Sequence, residues 1–172
     1  LYLWKQDHSV DVGKYVGVLP FAEYHESISS SGSTSSSSGV GQDLASANEK
    51  QKAIVDACKS TPSPGAGLCA TWITYVYMNA GAGHPSGNAC DMYYQYCTSS
   101  NKSDLKVGML VAVPSYAGNE DGQTYGHVAI YIGGGQVMDN IGRINTQSLD
   151  SWLQYYGNTH TPKWGFGGSG IA

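Results

Sequence analysis

The stretch from Gly67 to Gly81, GLCATWITYVYMNAG, constrains the fold most strongly because it places one thiol at the start of an apolar helix. Counted from Cys69, apolar side chains recur at the spacing of one helical face, at Trp72, Ile73, Val76, Tyr77 and Ala80. This spacing predicts a helix that is buried along one face, with Cys69 directed towards the core.

Cys69 lies in the predicted first turn of this helix, directly after residues 62–67, which are rich in Pro and Gly. Unpaired backbone N–H groups and the helix dipole favour an anion at such a position, so a thiol held there can act as a thiolate. The alternative interpretation is that Cys69 is a small buried apolar residue, the commonest situation for a free cysteine. The helix alone leaves both interpretations open.

The composition limits the class of protein and its partners. A length of 172 residues fits one domain with a core and a short appendage. Charged residues make up 13% of the chain, whereas Gly, Tyr and Ser are abundant, which is typical of an exported protein. The net charge is −4 with nine Lys and Arg residues, so we expect neither nucleic acid nor an anionic membrane as a partner. The oligomeric state stays open.

No apolar run approaches the ~18 residues that a membrane span requires, and the first residues lack the pattern of a signal peptide. A chain that begins at Leu1 is therefore expected to be a processed form or a fragment. The four cysteines match no zinc-ligand spacing, and we predict no metal and no cofactor. If Cys69 stays free, at most one disulfide can form among Cys58, Cys90 and Cys97.

The chain divides into three parts. Residues 1–28 carry too few apolar side chains for a core and are predicted to be an N-terminal extension of unknown role. Residues 29–41 are almost wholly Ser, Gly and Thr, a composition typical of a flexible linker. The predicted catalytic domain therefore spans residues 42–172.

Within this domain, helical patterns come first and strand patterns follow. Asp43 is predicted to cap a helix that runs to about Cys58, and the central helix comes next. From Gly108 onwards the apolar pattern has a period of two, which predicts strands at 108–113, 127–132, 136–141, 143–146 and 163–166, with a helical turn at 149–156. This order predicts an α+β domain with an antiparallel sheet.

Substrate-binding residues cannot be assigned from these patterns. The segment from Asp91 to Cys97 contains three tyrosines, Tyr93, Tyr94 and Tyr96. They could line a groove for an extended ligand, or they could be half-buried packing residues.

His127 is a second candidate catalytic residue, and it begins the predicted strand HVAIYI at 127–132. In this strand the side chains of His127, Ala129 and Tyr131 point to one face of the sheet. A three-residue loop at 133–135 would pair Tyr131 with Val137 and place Asp139 on the face of His127. A two-residue loop would shift the register by one and bring Asn140 to that face instead. We favour the longer loop and Asp139.

Cys69, His127 and Asp139 together suggest attack of a thiolate on an amide carbonyl. His127 would accept the thiol proton and donate it to the leaving amine, and Asp139 would hold the imidazole. Each residue alone has a structural explanation: a buried cysteine, a half-buried sheet histidine and a surface carboxylate. A cysteine at a helix start followed 58 residues later by a core-facing histidine favours catalysis.

The sequence resembles the NlpC/P60 family of bacterial cell-wall cysteine peptidases. CATWITYVYMNAG is similar to the family's nucleophile helix, which reads like DCSGLVQYVYKQAG. DLKVGMLVAV at Asp104–Val113 resembles LxPGDLVFF, and GHVAIYIGGGQVMDN resembles GHVGIYIGNGxxIHA, in which the third polar residue falls on Asp139. The resemblance covers about Gly41 to Gly168.

The resemblance implies a papain-like fold and cleavage of peptidoglycan stem peptides, often between D-glutamate and a diamino acid. It also implies a protein that is secreted or associated with the cell wall, or that is carried by a phage. Leu68 replaces the family's Asp before the nucleophile, Ala70-Thr71 replace Ser-Gly, and Pro85-Ser86-Gly87 lack the family's arginine. The reaction type therefore carries over better than the identity of the bond that is cleaved.

Two alternatives remain at this point. One is the related CHAP class of amidases and endopeptidases, whose third catalytic residue follows the histidine at a longer spacing. The other is a non-catalytic module that binds the cell wall. Bacterial and phage origins are both compatible with the sequence.

Overall fold

The computed structural model describes residues 41–172, and the predictions for residues 1–40 lie outside the described residues. The helices are α1 (Glu49–Ser60), α2 (Cys69–Asn79), α3 (Ala89–Tyr96), α4 (Glu120–Tyr125) and α5 (Leu149–Tyr156). The strands are β1 (Leu110–Val113), β2 (His127–Gly133), β3 (Gln136–Asn140), β4 (Ile144–Ser148) and β5 (Lys163–Gly165). Short 3₁₀ turns occupy Leu44–Ser46 and Lys102–Asp104. The predicted α+β class is confirmed.

The five strands form one antiparallel sheet in the order β4-β3-β2-β1-β5. Helix α2 packs against β2 and β3, and α1 packs against α2. The central helix predicted from the sequence is therefore held between another helix and the sheet. In the described part of the chain, no helix is both long and apolar enough to cross a bilayer.

The apolar face of α2 is the centre of the core. Trp72, Ile73, Val76 and Tyr77 are fully buried, as the spacing predicts. Two of them also anchor polar groups, since Trp72 Nε1 donates to the carbonyl of Thr61 at 3.0 Å and the Tyr77 hydroxyl donates to that of Gly108 at 2.6 Å. Burial of side chains of this size stabilises the fold by roughly 2 kcal/mol each. The start of α2 is thereby fixed against the sheet.

The prediction that Asp43 caps the first α-helix is wrong. Asp43 precedes the 3₁₀ turn and makes no side-chain cap, whereas α1 begins after Asn48. The Asn48 side chain accepts from the Gln51 N–H at 2.9 Å, and the Gln51 side chain accepts from the Asn48 N–H at 2.8 Å. Asp and Asn are equally good caps in isolation, and here Asn48 also donates to the carbonyl of Ile171 at 2.7 Å. Asn48 therefore both caps α1 and bonds to a residue near the C-terminal end of the chain, Ile171.

The β2–β3 hairpin differs from its prediction in the loop but not in the register. Gly133 pairs with Gln136, so the loop has two residues, Gly134 and Gly135, both with positive φ. Tyr131 nevertheless pairs with Val137, because a bulge lies between Tyr131 and Gly133. The extra residue in β2 offsets the shorter loop. Asp139 therefore keeps the position that the three-residue loop would have given it.

Helices α3 and α4 are additional elements without a counterpart in the sequence prediction. Cys90 lies within α3, and Cys97 directly follows it. The chain's four cysteines all fall among the described residues and are free thiols. Tyr93 is buried and donates through its hydroxyl to the carbonyl of Thr161 at 2.8 Å, whereas Tyr94 is exposed. These contacts favour packing over the groove interpretation of this segment.

Candidate active site

Cys69 is the first residue of α2, and its side chain is partly exposed. It lines a cleft of about 640 Å³. The cleft is also lined by Leu68, Tyr116, His127 and Tyr156. Asn88 and Ala89, at the start of α3, also line the cleft. Among the described lining residues there is no tyrosine from α3. The predicted thiol is thus accessible from a concave surface.

His127 is the first residue of β2 and is 5% exposed. The preceding Gly126 has φ 73°, and a Cβ atom there would lie 2.0 Å from the carbonyl oxygen of Val113, so only glycine fits. His127 Nε2 lies 2.7 Å from Asp139 Oδ2. The His127 side chain also forms a hydrogen bond with Cys69. Since Nε2 faces Asp139, Nδ1 is the ring nitrogen that remains for the sulfur.

Asp139 is fully buried in β3, and its carboxyl group has three neighbours with N–H groups. Oδ2 faces His127 Nε2 and accepts from Trp152 Nε1 at 3.1 Å, while Oδ1 accepts from Asn145 Nδ2 at 3.4 Å. A buried carboxyl group requires such partners. The three residues predicted from the sequence, Cys69, His127 and Asp139, are therefore brought together in this order.

Asn140, the alternative third residue, has other hydrogen-bond partners. Its side chain bonds instead to Ser63, Gly65 and Leu68 in the loop that precedes α2. The bulge in β2 decides this outcome, because the two-residue loop without a bulge would have exchanged the positions of Asp139 and Asn140.

Aromatic rings surround the His127 imidazole. Tyr156 stacks on it at a centroid distance of 4.3 Å, Trp152 at 5.9 Å, and Tyr116 approaches with its edge at 6.3 Å. Trp152 and Tyr156 both come from α5, where they are four residues apart and share a helical face. The sequence prediction missed their role at the site. Their spacing of four residues indicates that they share a buried helical face. It does not indicate that this face packs on His127.

The charge state of His127 follows from this environment. Burial lowers the pKa of His127, but the hydrogen bonds with Asp139 and Cys69 and the negative charge on both partners outweigh it and raise the pKa to about 10. The imidazole is therefore predominantly protonated at neutral pH. The faces of neighbouring aromatic rings also favour a cation at this position.

The connection between β1 and β2 forms another part of the cleft wall. It contributes Tyr116, the residues 119–122 and Tyr125. Asn119 caps the short helix α4 by accepting from the Gly122 N–H at 2.7 Å, and the Tyr116 N–H donates to the Gly122 carbonyl at 3.1 Å. Glu120 and Asp121 bring carboxylates to this wall, and within residues 41–172 neither Lys nor Arg lines the cleft. This wall of the cleft is therefore acidic.

The structure offers no obvious place for a metal ion. Across residues 41–172, no group of three His, Cys, Asp or Glu side chains is arranged to hold one.

A comparison of the chain with models of known protein families gives a match. The sequence model of the NlpC/P60 family matches residues 63–161, more than half of the chain. The chain belongs to the NlpC/P60 family. The matched region includes Cys69, His127 and Asp139, and NlpC/P60 membership implies, in general terms, a cysteine peptidase that acts on peptidoglycan of the cell wall. A comparison with curated protein sequences gives no match.

Proposed function

We propose that this NlpC/P60 protein is a cysteine peptidase that hydrolyses amide bonds in peptidoglycan stem peptides. Cys69 is the nucleophile, His127 the general acid and base, and Asp139 the group that holds the imidazole. The observation that carries the proposal is the continuous side-chain contact from Cys69 through His127 to Asp139 at one cleft.

The first half of the reaction forms an acyl-enzyme. The Cys69 sulfur attacks the scissile carbonyl carbon as a thiolate, and the carbonyl electron pair moves to oxygen. The backbone N–H of Cys69, the first residue of α2, donates to this oxyanion. When the tetrahedral intermediate collapses, the C–N bond breaks and the proton on His127 Nδ1 passes to the leaving amine. A thioester to Cys69 and a free amine result.

The second half regenerates the enzyme. Neutral His127 takes a proton from a water molecule, whose oxygen attacks the thioester carbonyl. The C–S bond breaks, the acid product leaves, and the site returns to a thiolate beside a protonated imidazole. The contacts of Asp139 with His127 Nε2 support the imidazole in both protonation states, because that nitrogen carries a proton throughout.

The acidic cleft wall supports a finer proposal about the bond. Glu120 and Asp121 line the cleft, and no Lys or Arg among the described residues lines it with them, so they attract a substrate group with a positive charge. The diamino acid of a stem peptide carries a free amino group of this kind. We therefore propose cleavage next to the diamino acid, with the amide to D-glutamate as the target.

The location and domain organisation follow from the substrate. Peptidoglycan lies outside the cytoplasmic membrane, so we propose that the protein is secreted or acts at the cell wall, whether a bacterium or a phage encodes it. We also propose that residues 29–41 link the N-terminal extension to the catalytic domain at 42–172. The match to the NlpC/P60 family model favours an NlpC/P60 peptidase over an enzyme of the CHAP class.

The test compares the wild-type protein with Cys69→Ala on suspensions of purified peptidoglycan. We expect the turbidity to fall only with the wild-type protein, and mass spectrometry of the released fragments names the bond. Cys90→Ala is the matched control, since it removes a second partly exposed thiol. Equal loss of turbidity with wild-type and Cys69→Ala proteins would reject the proposed peptidase, and no loss with either protein would favour a wall-binding module.

A further inference from the structure

A buried amide connects the sheet to the loop in front of the nucleophile. Asn140 follows Asp139 in β3 and is 2% exposed. Its Nδ2 donates to the carbonyl oxygens of Gly65 at 2.8 Å and Leu68 at 3.2 Å. Its Oδ1 accepts from the Ser63 hydroxyl at 2.6 Å. The side chain thus spans the loop from Ser63 to Leu68, which ends at Cys69.

The orientation of this amide is fixed by its partners. Besides Ser63, Oδ1 accepts from the backbone N–H of Gly142 at 3.1 Å. An asparagine amide offers two N–H donors and two acceptor lone pairs, and all four are used. A half-turn of the amide would direct Oδ1 at two carbonyl oxygens and Nδ2 at an N–H group. Asn140 therefore has a single satisfied arrangement, and it holds the two carbonyls in place.

Within the loop, the Ser63 hydroxyl oxygen accepts from the Gly65 N–H at 3.0 Å, but this bond does not extend to the helix start. Leu68 is the N-cap residue and makes no side-chain cap. Gly65 and Gly67 have φ values of 120° and 73°. Glycine adopts such φ values without strain, whereas residues with a side chain rarely do. The anchor at this helix start therefore comes from a distant strand.

The peptide between Leu68 and Cys69 connects this anchor to the chemistry. Its carbonyl accepts from Asn140 and from the backbone N–H of Trp72 at 3.1 Å. Because the peptide group is planar, a fixed carbonyl also fixes the N–H of Cys69 on the opposite edge of the plane. That N–H is one of the first four in the helix, which have no partner within the helix.

We infer that Asn140 is a positioning residue that aims the Cys69 N–H at the oxyanion of the tetrahedral intermediate. This inference rests on the proposed function, because it concerns the same reaction. Asn140 contacts neither the substrate nor the sulfur in this role. It acts through the Leu68 carbonyl and so affects the transition state more than substrate binding.

The test measures two reactions of the same thiol. One is hydrolysis of a stem tetrapeptide that contains the D-glutamate to diamino acid bond; the other is alkylation of Cys69 by iodoacetamide. Alkylation displaces iodide and creates no oxyanion, so it does not need the Cys69 N–H. Asn140→Asp keeps the shape but directs an oxygen at the carbonyls of Gly65 and Leu68. We expect kcat to fall about 10- to 100-fold, part of the effect of losing an oxyanion donor, with KM and the alkylation rate nearly unchanged.

Two further variants keep the test decisive. Asn140→Ser is smaller and uncharged, and it carries the test if thermal melting shows that Asn140→Asp does not fold. Asn79→Asp is the matched control: it makes the same change at an exposed asparagine at the other end of α2, whose Nδ2 donates to the Thr61 hydroxyl at 2.9 Å, so we expect kcat close to that of the wild-type protein.

The outcomes separate this inference from the proposed function. A wild-type protein that hydrolyses the peptide, together with an equally active folded Asn140 variant, overturns the inference alone. Parallel loss of kcat and of the alkylation rate in the variant also overturns it, because that result shows a displaced Cys69. A wild-type protein that releases no fragment from the peptide or from whole peptidoglycan overturns the proposed function and the inference together.

Discussion

Trp152 Nε1 donates a hydrogen bond of 3.1 Å to Oδ2 of Asp139, the same oxygen that faces His127. Trp152 is fully buried, and its ring lies parallel to the imidazole within 24°. One side chain from α5 thus contacts both His127 and the carboxyl group that holds it. The geometry of the imidazole depends on this tryptophan as well as on Asp139.

Replacement of Trp152 by phenylalanine tests this dependence. The variant keeps an aromatic ring next to His127 but removes the N–H donor to Asp139. We expect the free energy of unfolding to fall by about 2 kcal/mol and kcat to fall with it, measured by chemical denaturation and peptide hydrolysis. Trp164→Phe is the matched control, since Trp164 is also buried and donates to a remote carbonyl, that of Asn101, at 2.9 Å. Unchanged kcat in Trp152→Phe would contradict the prediction.

Replacement of Asp139 by asparagine tests the carboxyl group itself. The amide retains the size of the side chain but cannot support a protonated imidazole by charge, and its N–H₂ group faces donors on its neighbours. We expect kcat to fall by a factor on the order of 10² to 10⁴, as for other catalytic triads. The measurement is hydrolysis of the stem peptide, with Asp150→Asn on the exposed face of α5 as the control. Activity within a few-fold of the wild-type protein would remove Asp139 from the mechanism.

The raised pKa of His127 predicts how stability depends on pH. The pKa of a histidine in the unfolded chain is about 6.5, and in the folded protein that of His127 is about 10. Its contribution to stability is therefore fully present below pH 6.5 and is lost as the pH rises through 10. We expect Tm to fall over this range by several degrees more in the wild-type protein than in His127→Gln. His84→Gln, at an exposed histidine, should behave like the wild-type protein.

Selective alkylation distinguishes Cys69 from the other thiols. Burial raises the pKa of Cys97 to about 12 and that of Cys58 further, and burial together with Asp91 raises the pKa of Cys90. Cys69 alone has the protonated His127 as a hydrogen-bond partner among the described residues. We expect iodoacetamide near pH 6 to label Cys69 first, as measured by peptide mapping, and His127→Gln to slow this labelling. Faster labelling of Cys90 would contradict the proposed pairing.

The acidic cleft wall predicts a preference for substrates with a free amino group. We expect the double variant Glu120→Gln/Asp121→Asn to raise KM for a stem peptide whose diamino acid is unmodified. The same variant should leave KM unchanged for a peptide acetylated at that amine, because no charge is then recognised. Asp56→Asn, at an exposed carboxylate of α1, is the control. The effect should shrink at high salt, and an equal change for both peptides would reject charge recognition.

Local sequence patterns were sufficient for the elements that carry the site. The apolar face of α2 predicted both the helix and the position of Cys69 at its start, because one face of a helix repeats every three to four residues. Alternation of apolar residues likewise predicted β2 with His127 at its first position. The short helix α4 carries no such pattern, and the sequence did not indicate it.

The sequence by itself thus determined the candidate catalytic residues, the α+β class and the order in which the central helix and the strands follow one another. The sequence favoured Asp139 over Asn140 as the partner of His127 but for a longer loop than the structure has, and only the tertiary structure shows that a bulge in β2, which no local pattern marks, sets this register. The tertiary structure also decided that Trp152 packs on the imidazole and that Asn140 binds the loop before Cys69. Such contacts join residues that are far apart in the chain, and they form only when the helices and strands have packed together.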